Sequence, residues 1–158
     1  MKSHLALPAL LAALLTTSAL PAIADRLPVP SHPLYLEECG SCHLAYPPQL
    51  LDAASWRALM AGLDKHFNSD ASLDDKRRVA ITDFLDRNAG GRKTGVTADA
   101  SGRPLLRISD TAWFRREHRK VEATAWKRAA IKSPANCAAC HTRAADGDYG
   151  ERSINIPK

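Results

Sequence analysis

Every cysteine in this chain falls in one of two pentapeptides, Cys39-Gly40-Ser41-Cys42-His43 and Cys137-Ala138-Ala139-Cys140-His141. A Cys-x-x-Cys-His run is the attachment signature of c-type haem. Its two thiols add to the two vinyl groups of one porphyrin, and the adjacent imidazole is placed to bind the iron. The spacing lets both sulfurs and the ring reach one macrocycle from a single turn of chain. With four cysteines and none left over, the chain is expected to hold two covalent haem c groups. Cys39 and Cys42 would attach one and Cys137 and Cys140 the other, with His43 and His141 as proximal iron ligands. Two disulfides would suit an exported chain with four cysteines, but they leave both histidines as coincidence. Zinc would accept two Cys and two His at each site. The paired pentapeptides and an export signal speak against it.

The remaining axial position on each iron decides the chemistry. A histidine there closes the iron at low potential and a methionine raises the potential, whereas an empty position admits gas or peroxide. Beyond the two motifs and the leader, the chain offers His32, His66, His118 and Met60. His66 follows His43 at the same interval at which His118 precedes His141. Each has apolar neighbours, Leu63 and Phe67 for His66, Trp113 and Phe114 for His118. They are the expected distal ligands, paired by proximity as His43 with His66 and His141 with His118. His32 lies in a Pro-rich leading segment, and Met60 sits in an apolar helical stripe of the kind that usually builds core. Trp56, Trp113 and Trp126 suit porphyrin edges or ordinary core equally well.

The first 24 residues read as a secretory signal peptide. Lys2 supplies the positive start, Leu5–Leu20 the apolar stretch broken at Pro8, and Ala22-Ile23-Ala24 the cleavage site, so that the exported chain begins at Asp25. The apolar stretch is short for a bilayer span. Export places the protein in the bacterial periplasm, where c-type haem is attached. The formal charge of +5 falls to +4 with loss of Lys2. Two ferric haems with their propionates subtract about two more charges, and reduction about two again. The basic balance therefore does not point to nucleic acid, and no aromatic–basic interleaving accompanies it.

Residues 25–158 are few for two independent cores, but each haem offers apolar surface to pack against. The expected fold is mainly α. Two small haem-centred lobes, the N-terminal one cytochrome c-like (25–92) and a C-terminal one (109–158), are joined by an irregular connector (93–108). Leu34–His43 reads as a helix carrying the first motif, broken at Tyr46-Pro47-Pro48. Apolar residues at Trp56, Leu59, Met60, Leu63 and Phe67 give helical spacing over 55–67. Ser72 is an expected N-cap for a helix containing Val79, Ile81, Phe84 and Leu85, stopped by Gly90-Gly91. A further helix is expected over 110–121, capped by Ser109 or Asp110. Ser133-Pro134 would open one that carries the second motif to Gly147. The run Arg115, Arg116, Arg119, Lys120 is by default a solvated face.

Taken together, the chain resembles the DHC family of exported dihaem cytochromes c. The resemblance rests on Glu38-Cys39-Gly40-Ser41-Cys42-His43-Leu44-Ala45-Tyr46-Pro47-Pro48, Leu63-Asp64-Lys65-His66-Phe67, Trp113-Phe114-Arg115-Arg116-Glu117-His118 and Ser133-Pro134-Ala135-Asn136-Cys137-Ala138-Ala139-Cys140-His141. It implies bis-histidine ligation of both haems and electron transfer rather than catalysis. It also implies an oxygen-binding monohaem cytochrome as acceptor and a membrane cytochrome b as donor. The alternative reading is a haem enzyme or gas-binding protein in which one distal histidine dissociates. The chain is short for that, and no acid–base pair stands beside a motif.

Overall fold

Pro33 starts the first helix because its fixed φ suits the first helical position. In the computed structural model, which describes residues 26–91, 94–95 and 97–158, this helix is α1 (Pro33–Gly40). It is followed by α2 (Ala53–Ala61), α3 (Asp75–Asn88) and α4 (Ala112–Glu117). Single 3-10 turns and extended chain make up the rest. Among the described residues there is no strand, only isolated β-bridges. The fold is thus mainly α, as expected. The signal segment 1–24 and residues 92–93 at the expected lobe boundary lie outside the described residues. No described helix is long and apolar enough to cross a membrane.

Several helix ends differ from expectation, each for a local reason. α1 stops at Gly40, where the Ser41 hydroxyl donates back to the Glu38 carbonyl (2.9 Å), so Cys42 and His43 sit just beyond the helix. α2 starts at Ala53 because Asp52 caps it, accepting from Ser55 N (2.8 Å). α2 ends at Ala61 with Gly62 as its C-cap, and a 3-10 turn (Leu63–Lys65) leads to His66. α3 is capped by Asp74 rather than Ser72, the Asp74 carboxylate accepting from Arg77 N (3.0 Å). α4 is capped by Thr111, not by Ser109 or Asp110, which lie in a preceding 3-10 turn.

The second haem motif is not on an α-helix. It occupies a 3-10 turn, Cys137–Ala139, and another turn follows at Ala144–Asp146. The Cys140 carbonyl, which helix continuation would need, is instead taken by Asn155 N–H (2.8 Å) from the C-terminal tail. Thr142 N–H donates to Ser153 O (3.1 Å), and Arg128 holds the Pro157 carbonyl (2.7 Å). The tail is a strap that holds the motif where a helix would otherwise do so.

The largest core cluster joins Tyr35 of α1, Leu51, Trp56 and Met60 of α2, Leu63, and Ile81, Phe84 and Leu85 of α3. Burial of this apolar surface is the main force holding the three helices together. A smaller set, Phe114, Ala125, Ile131 and Ala144, is buried in the C-terminal half. The halves are tied by the leading segment, where Leu27 is buried and its N–H donates to Gly147 O (2.8 Å). Gly147 has φ +69°, and a Cβ there would come within 2.7 Å of Pro28 Cα, so this crossing requires glycine.

Among its described residues, the segment expected as a connector forms no α-helix or strand and carries an isolated bridge of Ala98 with Pro104, yet it is fastened to the N-terminal half. Thr97 is fully buried, its N–H donates to Asp52 (2.8 Å), and the Ser55 hydroxyl donates to the Thr97 carbonyl (2.9 Å). Asp52 thus caps α2 and receives the connector with one carboxylate. Burial pushes its pKa up, but the bonds from Thr97 and Ser55 outweigh this and leave it lowered. Asp52→Ala should therefore destabilise the fold by about 1–2 kcal/mol. A carboxylate with a lowered native pKa stabilises above the unfolded value of about 3.9, and that contribution is lost as pH falls through the native value. Denaturant titrations of wild type and Asp52→Ala should separate at neutral pH and draw together in acid.

Candidate haem sites

The first motif leaves Cys39 half-buried on the last turn of α1, with Cys42 and His43 exposed beyond it. His43 Nδ1 lies 2.8 Å from Leu44 O, and its ring stacks on Tyr46 (centroids 4.8 Å, planes 23° apart). A ring nitrogen bonded to a carbonyl carries the proton, which leaves Nε2 as the lone-pair donor. His66 faces it from the turn after α2, centroids 6.2 Å apart and planes 23° apart. That turn is unusual, because Phe67 (φ +49°) and Asn68 (φ +73°) are both left-handed. For a bulky residue such as Phe67 this conformation is strained. The turn closes through Ser69 N–H to His66 O (3.0 Å) and Ala71 N–H to Leu63 O (2.9 Å).

Between these rings opens a cavity of about 480 Å³. Cys39, Cys42, His43 and His66 line it, with Trp56 and Met60 among its apolar walls. Its volume lies within the usual range for cofactor pockets, roughly 300–1,000 Å³.

The second pair of histidines comes from different elements, and the cavity beside it is lined by His118 but not by Cys137, Cys140 or His141, Cys137 lining the first cavity instead. His118 ends α4, and its Nδ1 lies 2.9 Å from Phe114 O, again leaving Nε2 free. The His118 N–H takes the same carbonyl (3.0 Å), and the helix then gives way to a longer Arg119 N–H to Arg116 O bond (3.5 Å). The His118 ring stacks on Phe114 (4.0 Å) and lies 6.0 Å from His141, the planes 82° apart. A cavity of about 290 Å³ adjoins His118, Phe114 and Trp126. His141 Nδ1 and the Tyr149 hydroxyl are buried without a hydrogen-bond partner. Orphaned buried polar atoms cost about 1–3 kcal/mol each, so a site built this way calls for a partner that this chain does not itself supply.

Two imidazoles on opposite sides of one metal, with bonds of about 2 Å and about 1 Å more to each ring centre, stand about 6 Å apart. Both observed separations fit that figure. Burial, then the neighbouring His43 and Arg107, lowers the pKa of His66; burial and then His118 lower that of His141. Both rings are therefore neutral near pH 7 and able to donate a lone pair. The four cysteines form no disulfide. Burial pushes the Cys39 and Cys137 thiols up to about 11, opposite to the shift expected of a reactive redox thiol. Among the described residues, no three or more His, Cys, Asp or Glu side chains gather as a metal ion alone would require.

The other candidates are engaged elsewhere. His32 Nδ1 caps α1 by accepting from Tyr35 N (3.1 Å), and its ring packs on Phe84 (4.4 Å). Met60 is buried in the core while also lining the first cavity. Trp56 and Trp126 line the first and second cavities respectively, and Trp113 lines neither.

Four residues that sequence reasoning left without a site role emerge here. Tyr46, beyond stacking on His43, donates its hydroxyl to Ala135 O (2.6 Å), the same carbonyl that accepts from Cys137 N (3.0 Å). One phenol thus joins the first proximal histidine to the second motif. Phe114 and Pro134 line both cavities. Arg107 stands over the Phe67 ring (3.9 Å). These contacts span up to 89 residues, so no local periodicity could have revealed them; only the presence of Tyr46, Phe114 and Pro134 within the quoted motifs hinted at a role.

Comparison with known proteins gives a consistent result. The profile of the family described as "Dihaem cytochrome c" matches residues 35–149. A diheme cytochrome c from Rhodobacter sphaeroides is 42% identical with a TM-score of 0.67, the match covering 77% of this chain and 98% of that one. A crystal structure of DHC purified from Rhodobacter sphaeroides is 46% identical with a TM-score of 0.64, covering 77% and 99%. A diheme cytochrome type c from Shewanella baltica OS155 is 34% identical with a TM-score of 0.68, covering 82% and 95%. No curated protein matches the chain.

Proposed function

Since this chain belongs to the dihaem cytochrome c family, whose members are haem electron carriers with two covalently bound haem c groups, we propose that it is a periplasmic carrier with two closed, bis-histidine irons. The observation that carries this reading is the pair of facing imidazoles at each motif, 6.2 Å and 6.0 Å apart. Bound haem supplies reversible one-electron redox chemistry. The chain's residues do the rest. Cys39, Cys42, Cys137 and Cys140 hold the two groups by thioethers. His43 with His66, and His118 with His141, would hold the two irons, His43 and His118 through Nε2 because their Nδ1 atoms face backbone carbonyls. Filled positions leave no place for substrate or gas, so the protein is not an enzyme on this reading. Phe114 and Pro134, common to both cavities, bring the two sites within reach of each other.

The acceptor on this reading is an oxygen-binding monohaem cytochrome, and the donor a membrane cytochrome b. Such partners must part quickly, which favours a small and partly electrostatic contact. Arg115, Arg116, Arg119 and Lys120 are all exposed around the end of α4 that carries His118. Arg115 also lines the second cavity, so charge and redox centre share one face. Stopped-flow reduction of an oxygen-binding monohaem cytochrome should slow on the order of tenfold from low to high salt, as screening removes steering. Charge reversal at Arg115 and Arg116 should change the low-salt rate and flatten the salt dependence. A rate indifferent to both would eliminate this docking face.

A further inference from the structure

Arg107 opens the 3-10 turn before α4 and reaches back across the chain to the turn that bears His66. Its guanidinium carbon lies 3.9 Å from the centre of the Phe67 ring, a cation–π distance. Phe67 presents that ring from a left-handed backbone (φ +49°), next to His66. Among the described residues, Arg107 makes no ion pair with a carboxylate. It lines the first cavity together with His43 and His66. Two acidic residues line the same cavity. Glu38 is neutralised by Arg77, while Asp70 keeps its charge through a bond from Ser72 N (2.9 Å).

We propose that Arg107 tunes the first haem: held over Phe67 at the cavity wall, its charge raises the reduction potential of the iron between His43 and His66. The inference rests on the bis-histidine reading of that site. When the ferric haem gains one electron, its core passes from one positive charge to none. A fixed cation nearby disfavours the oxidised form and so favours the reduced one. The sign is the same if the guanidinium also neutralises a propionate, because its removal in either case makes the surroundings of the iron more negative. Phe67 is the platform that keeps a long, exposed side chain in place. That gives a reason for a strained aromatic residue directly after a candidate iron ligand.

The test is a spectroelectrochemical titration of the holoprotein. Arg107→Gln should lower the midpoint of one haem, changing its ferrous-to-ferric ratio at fixed potential on the order of tenfold, with a much smaller change at the other haem. Arg107→Lys, which keeps the charge, should recover most of the wild-type value. Unchanged midpoints in Arg107→Gln would overturn the proposal, as would equal shifts of both haems or an Arg107→Lys variant that behaves like Arg107→Gln. Carbon monoxide binding by reduced Arg107→Gln alone would overturn it differently, by showing that Arg107 acts through holding His66 in place. Carbon monoxide binding by the wild type would instead remove the bis-histidine reading beneath it.

Discussion

His66→Ala should turn one of the two haems, and only one, into a carbon monoxide-binding haem. In the wild type, His66 faces His43 at 6.2 Å, the separation expected across one iron. On the bis-histidine reading, truncation to alanine removes the ligating nitrogen without disturbing what holds the site together. The turn around residue 66 closes through backbone bonds, Ser69 N to His66 O and Ala71 N to Leu63 O, which no side chain at 66 supplies. The thioethers to Cys39 and Cys42 and the ligation by His43 would keep the haem attached. Spectra of the reduced variant should show half of the haem responding to the gas. His118→Ala should open the other half, and the double variant both. His32 is engaged in capping α1, whereas Met60, which lines the first cavity from the core, is the ligand to test should the variant stay closed. A His66→Ala protein that stays wholly low-spin and inert to the gas would rule out His66 as the ligand.

Trp56→Ala should cause a large loss of stability. Trp56 is buried on α2, walls the first cavity, and donates its indole N–H to Pro48 O (2.7 Å). Removing a buried tryptophan costs about 3–5 kcal/mol, and the Pro48 carbonyl loses its donor as well. For a chain of this size the melting temperature should fall on the order of 10–20 °C. Trp56→Phe keeps most of the apolar volume and loses only the hydrogen bond, so it should cost about 1–2 kcal/mol. Thermal unfolding of the holoproteins distinguishes these outcomes. An alanine variant melting within a few degrees of wild type would mean that Trp56 is not a wall of the core.

What the sequence made legible was the chemistry carried by local pattern. The two pentapeptides named the cofactor and its number. The scarcity of spare histidines narrows the distal candidates to His66 and His118, whose rings lie 6.2 Å from His43 and 6.0 Å from His141 respectively. The apolar stripe of α3 was likewise visible, because Ile81, Phe84 and Leu85 recur at helical spacing.

The rest depended on competition between near-equal local choices or on distant partners. Ser72 and Asp74 are both good N-caps, and only the realised bond to Arg77 N selects Asp74. Ser133-Pro134 is a sound helix opening. It is overridden because Asn155, from the far end of the chain, claims the Cys140 carbonyl. Thr97 sits in a stretch without periodicity, and its role comes from Asp52 and Ser55, which bond it from 45 and 42 residues away. Arg107 carried no local signal, since its meaning comes from a ring forty residues earlier in the chain.

The central claim is that both irons are closed by histidine, and the absorption spectrum of the chemically reduced wild-type holoprotein, recorded with and without carbon monoxide, tests it most directly. The account predicts a low-spin c-type spectrum from both haems, unchanged by the gas. A carbon monoxide-induced shift in either haem would contradict it.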